Sequence, residues 1–130
     1  MRPMLAVQCE LTQLKYPLYA SQKLDGVRGV DIDGVLHSRS LKKFPNAFVA
    51  ERFSKPEYSG LDGELILGDP CAKDVFRVTS GACQRHDGTP DVRFYVFDDF
   101  SKPGTFKERW IDTLPIRRRC TPLEQLLIKD

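Results

Sequence analysis

The sequence predicts an α+β domain in which antiparallel β-sheets are flanked by helices, and three observations carry that reading. Short β-type runs follow one another through tight turns, Asp33-Gly34 being the clearest. Stretches with helical spacing of apolar residues interrupt them at 47–54, 72–85 and 105–114. A doubly wound parallel sheet would need a long crossover between successive strands, and several of these turns are too short for one. With 130 residues, 41% of them hydrophobic and 29% charged, the chain has room for one domain with a real core.

Taken in order, residues 17–24 (PLYASQKL) predict a strand that enters a turn at Lys23. VRGVDIDGVLHSRS then gives two β-type runs around Asp33-Gly34, the dipeptide favoured in a type I′ hairpin. Asn46 can cap a short helix, AFVAERFS, with Phe48, Val49 and Phe53 on its apolar face. LDGELIL, residues 61–67, is an apolar strand interrupted by Asp62 and Glu64. Residues 72–85 predict a helix with Val75, Phe76, Val78 and Ala82 facing a core, and DGTPD ends it. VRFYVFDDF is an aromatic strand with Val92, Phe94 and Val96 on one face and Arg93, Tyr95 and Phe97 on the other. An amphipathic helix over 105–114 would stop at Pro115. Periodicity leaves the tail, TPLEQLLIKD, open between strand and helix.

Composition narrows the function classes. A net charge of +2 is too small to mark a nucleic-acid binder by itself, and the clusters Arg39/Lys42-Lys43 and Arg117–Arg119 read as solvated faces. The four cysteines form no C-x-x-C pair, and two histidines complete no zinc pattern, so no structural metal is expected. No apolar run is long enough to cross a bilayer, and the opening MRPMLAVQCE lacks a secretory h-region. The expected compartment is the cytoplasm, with free thiols and no membrane partner.

Charge sits where apolar strands should not have it. Lys23 and Asp25 close the first run, Asp62 and Glu64 share one face of the LDGELIL strand, and Asp98-Asp99 end FYVFDD. Such charges are costly when buried unless they are paired or hold a ligand. A polar outer sheet face explains one such strand, but three strain that explanation. A lysine amine attacks phosphorus only when deprotonated, which neighbouring cations or desolvation favour. An arginine is a bidentate donor to phosphate or carboxylate, and an aromatic ring on a strand can stack on a base.

Lys23-Leu24-Asp25-Gly26-Val27-Arg28 matches K-x-D-G-x-R, the first motif of the covalent nucleotidyltransferases. It is followed in order by Ser38-Arg39-Ser40, by Leu61-Asp62-Gly63-Glu64-Leu65 and by Phe94–Asp99. With these motifs the chain resembles the small ATP-dependent DNA ligases of bacteriophages. The resemblance implies a partial nucleotidyltransferase adenylation domain, ATP-grasp-like in fold, that uses ATP and Mg2+ and acts on nicked double-stranded DNA. It implies that Lys23 takes AMP as a phosphoramidate and that Asp25 orients or polarises it. Arg28 would contact the ribose or the nick phosphate, and Arg39 the 5′-phosphate side of the nick. Glu64 would bind the ribose and a magnesium ion, Phe97 would stack on adenine, and Ser21 and Gln22 would meet the adenine edge. If the gene is a phage's, the cytoplasm is that of its bacterial host.

The resemblance also sets an expectation about extent. After Asp99 there is no E-G pair and no K-x-K strand. Residues 1–130 are therefore read as the N-terminal portion of the adenylation domain, without its fourth and fifth motifs or an OB-fold domain. A separate C-terminal half is a candidate partner, and the isolated chain is expected to be severely impaired in nick sealing. Two other readings stay open: a non-catalytic or split remnant that binds nucleotide or DNA, and an RNA ligase or capping-type nucleotidyltransferase.

Overall fold

Five strands make the central sheet of the computed structural model, which describes residues 2–113 and 120–129. Across the sheet they run β3 (Val35–His37), β2 (Val27–Ile32), β4 (Leu61–Leu67), β5 (Val92–Asp99) and β6 (Cys120–Pro122). β2, β3, β4 and β5 pair antiparallel, and β6 joins β5 in parallel. A separate two-stranded sheet pairs β1 (Leu18–Ala20) with β7 (Leu126–Ile128). Three helices, α1 (Ala47–Phe53), α2 (Val75–Gln84) and α3 (Phe106–Thr113), complete the regular elements apart from two short 3-10 turns among the described residues. The fold is α+β, as the sequence predicts. Its parallel edge strand and the resolution of the tail into β6 and β7 are additions.

The Asp33-Gly34 turn is a type I′ hairpin in fact: φ is 54° at Asp33 and 79° at Gly34, both in the left-handed region. Beside it lies the least comfortable residue of the core. Asp31 is fully buried, and neither carboxylate oxygen has a hydrogen-bond partner. Burial pushes its carboxyl up to about 7; the nearby Gly34 N–H offsets this without completing a bond, and Asp33 adds to it.

One face of the central sheet builds the core. Leu36, Leu61, Leu65, Val92, Phe94 and Val96 pack there against Val49 and Phe53 of α1 and Cys83 of α2. Asn46 caps α1 by accepting the Val49 N–H at 2.9 Å, and its own amide donates to the carbonyls of Asp87 and Gly88. A buried asparagine is thereby satisfied while fastening the loop after α2 to the start of α1.

Both helix faces need correction. Phe48 is exposed, leaving Val49 and Phe53 as the buried stripe of α1. In α2 the buried residues are Val75, Thr79, Ala82 and Cys83, spaced i, i+4, i+7, i+8; Phe76 is 52% exposed. Thr79 takes the core position because its hydroxyl accepts the Leu67 N–H at 3.0 Å, where β4 ends. The first strand is also shorter than 17–24. Only Leu18–Ala20 pairs, because β7 offers three residues and the chain then leaves for β2, placing Lys23 in a loop. The Pro115 stop and the Arg117–Arg119 cluster lie outside the described residues.

Candidate active site

The face of the sheet opposite the core carries Asp62 and Glu64 of β4, Arg28 of β2, and the end of β5. Period-2 alternation alone would put Phe97 and Asp98 on opposite faces. A bulge prevents this: Asp62 pairs with Asp98 but Gly63 pairs with Val96, so Phe97 is an extra residue in the ladder. Phe97 and Asp98 therefore both serve the site face, while Val96 and Asp99 on either side are buried. Gly63 is required opposite the bulge, since a Cβ there would run into the Tyr95 carbonyl.

Lys23 and Asp25 are exposed on the loop between β1 and β2, with Ser21 and Gln22 just before them. Gly26 ends this loop against β4. A Cβ on it would collide with the Leu65 carbonyl and the Ile66 side chain. The close approach that this glycine permits is thus to the neighbouring strand. The same approach lets the Gly26 N–H donate to Glu64 Oε2 at 3.0 Å. The lysine loop and the Glu64 strand are fastened directly to one another.

Arg28 pairs in register with Glu64, but its guanidinium reaches diagonally to Asp62. Nε and Nη2 donate to the two carboxylate oxygens, each at 2.7 Å, in a bidentate fork that is about nine-tenths buried. Nη1 donates to the Met4 carbonyl at 2.8 Å, and the guanidinium lies 5.1 Å from the Phe97 ring centroid. The Asp62 bonds hold Arg28 protonated beyond its usual range, against the cost of burial. Burial pushes the Asp62 carboxyl up, and the Arg28 bonds offset only part of that. Glu64 is also pushed up, by burial first, with the Gly26 N–H and the charges of Arg28 and Lys23 pulling the other way.

Alongside, Arg109 of α3 donates to Asp98 from Nε at 2.9 Å and from Nη2 at 3.2 Å, and its Nη1 donates to the Gly104 carbonyl. Residues Arg109 and Met4 escaped sequence reasoning. Nothing marks Met4 locally, whereas an arginine eleven residues after an acidic strand end is a signal that could have been followed.

These groups open onto one broad cleft of about 1520 Å³. Ser21, Gln22, Lys23, Asp25, Arg28, Arg39, Glu64 and Phe97 all line it, so these eight candidates share one cleft, whereas Asp99 is buried away from it. Arg39 is the outlier in position. It sits exposed at the rim, in the Ser38–Lys42 turn that Ser38 closes by accepting the Leu41 N–H and donating to the Lys42 carbonyl. No group of three or more His, Cys, Asp or Glu among the described residues is arranged to hold a metal ion. Glu64 could hold Mg2+ only together with ligand phosphate oxygens, the usual mode for that ion.

No protein-family model matches the sequence, and no curated protein sequence matches it either. Solved structures do. The chain aligns over 100% of its length with the Chlorella virus DNA ligase-adenylate, at a TM-score of 0.79 and 20% identity. A second structure of that ligase-adenylate gives 0.80 over 99% of the chain, also at 20% identity. A Lig E DNA ligase, described as binding DNA with a minimal scaffold, gives 0.75 at 22% identity over the whole chain. The chain spans about half the length of each, 52%, 51% and 53% respectively. The described residues thus share the fold of part of a DNA ligase-adenylate.

Proposed function

We propose that this chain is the N-terminal portion of an ATP-dependent DNA ligase adenylation domain. The observation that supports it most is the convergence of the Lys23–Arg28 loop, Arg39, Glu64 and Phe97 on one cleft. The Lys23 amine would displace pyrophosphate from the α-phosphorus of ATP. A nitrogen–phosphorus bond forms, the oxygen–phosphorus bond to pyrophosphate breaks with its electron pair, and the amine's proton passes to water at the exposed loop. Asp25, two residues away on the same loop, would orient the amine. Glu64, fixed by the Gly26 N–H, would present its carboxylate to the ribose and to Mg2+. Magnesium, when bound, supplies charge neutralisation at the phosphates. Arg39 at the rim would meet a DNA phosphate, with nicked duplex as the eventual acceptor and further chain or a separate C-terminal half completing the enzyme.

Incubation with ATP labelled at the α-phosphate and Mg2+ tests this reading. An acid-labile, alkali-stable AMP adduct should map by peptide sequencing to Lys23. An adduct on Lys15, Lys42 or another lysine would sink the assignment, and a GTP-derived adduct in its place would favour a capping-type enzyme. Nucleotide binding without any adduct, with or without a complementing half, would favour a non-catalytic remnant.

Phe97 is proposed as the base-stacking residue. Arg28 covers one face of its ring, so a base must take the other. Stacking of a base on an aromatic ring is worth roughly 1–3 kcal/mol. Phe97→Ala should therefore weaken ATP binding about ten- to a hundredfold in a calorimetric titration, with circular dichroism unchanged. Unaltered affinity would return the ring to a packing role.

A further inference from the structure

Four charges stand in a row across the floor of the cleft: Arg28 on β2, Asp62 on β4, Asp98 on β5 and Arg109 on α3. The two carboxylates are direct cross-strand partners on one face, an arrangement that repels unless each is neutralised. Each has its own arginine fork, Arg28 on Asp62 and Arg109 on Asp98. The side chains of Asp62 and Asp98 are 12% and 15% exposed, so water screens little of the repulsion. Arg28 feels Asp98 as well as Asp62, and its guanidinium is the one that lies over Phe97.

We propose that Arg109 is a positioning residue for the nucleotide site. By neutralising Asp98 it leaves Arg28 to Asp62, and so fixes the guanidinium over Phe97. Without it, Asp98 becomes an unpaired, mostly buried carboxylate beside Asp62, and Arg28 is drawn to bridge the pair. Phe97 is the residue next to Asp98, so that movement changes how the guanidinium meets the ring. The proposal rests on reading the cleft as a nucleotide site, but the geometry it claims can be measured without nucleotide.

A purely structural role, in which the ion pair only ties α3 to β5, makes a different prediction. Loss of either partner would then loosen α3 while the Arg28 Nε–H resonance stays where it is in the parent. The experiment compares Arg109→Met, Asp98→Asn and the double variant in the full chain, with Arg109→Lys as a charge-keeping control. Two readouts are taken: the Arg28 side-chain Nε–H resonance, assigned by its loss in Arg28→Lys, and the dissociation constant for ATP. Arg109→Met should displace or broaden the Nε–H resonance and weaken ATP binding about tenfold. Asp98→Asn alone should stay within about twofold of the parent, and the double variant should return to that level. Should Arg109→Met fail to fold, Arg109→Lys must retain the parent resonance while Asp98→Asn leaves it in place. An unmoved resonance in Arg109→Met, or a double variant as impaired as Arg109→Met, overturns the proposal. Absence of ATP binding by the parent chain overturns the nucleotide reading, and the resonance comparison still decides whether Arg109 positions Arg28.

Discussion

Lys23→Ala should abolish covalent AMP labelling completely while leaving the chain as stable as its parent. The side chain is exposed on the loop between β1 and β2, so its truncation removes no core contact. Surface changes of that kind usually stay within about 0.5 kcal/mol of the parent. Chemically the loss is absolute, because no nucleophile is left at the position. Lys23→Arg should fail as well, since a guanidinium keeps its proton and offers no lone pair for attack. Reversible ATP binding should persist within about threefold in both, because Glu64 and Phe97 are untouched. Gel autoradiography after incubation with labelled ATP checks the first outcome, and calorimetry the second. Any label surviving Lys23→Ala would refute the assignment of the nucleophile.

Asp31→Asn should stabilise the protein above neutral pH. The folded-state carboxyl sits at about 7 because burial strips it of water and gives neither oxygen a partner. Its usual value is 3.8, so between these two pH values the folded state holds a proton that the unfolded chain has lost. Stability from this group therefore falls as pH rises from about 4 to about 7, and is flat on either side. A shift of roughly three units corresponds to about 4 kcal/mol across that window. An amide cannot ionise, so Asp31→Asn should remove the slope. The difference between the two urea-denaturation curves isolates the effect, since Asp62 and Glu64 titrate in both proteins. Parallel pH profiles for parent and variant would show that Asp31 finds a partner or water in solution.

Much of the fold could be read from local chemistry. Asp33-Gly34 specified its turn, Asn46 its helix start, and alternation in VRFYV the inward face of β5. What could not be read depended on partners far along the chain. Phe76 and Thr79 lie on one helix turn, and only the Leu67 N–H decides that the threonine faces inward. The three-residue extent of β1 is set by β7, more than a hundred positions later. The candidate site residues could be picked out because the K-x-D-G-x-R and D-G-E patterns concentrate unusual charge and resemble ligase motifs. Their geometry was not, since the Arg28–Asp62 fork is diagonal to the strand register and the Phe97 bulge breaks alternation.

That bulge makes β5 tolerant of losing one residue. Gly63 pairs with Val96 and Asp62 with Asp98, so excising Phe97 would leave an unbroken ladder in which every other β5 residue keeps its side of the sheet. Deleting Phe97 outright is then a milder perturbation than deleting either neighbour. A single-residue deletion scan along β5, read by expression of folded protein, should show a lone tolerated gap at that position.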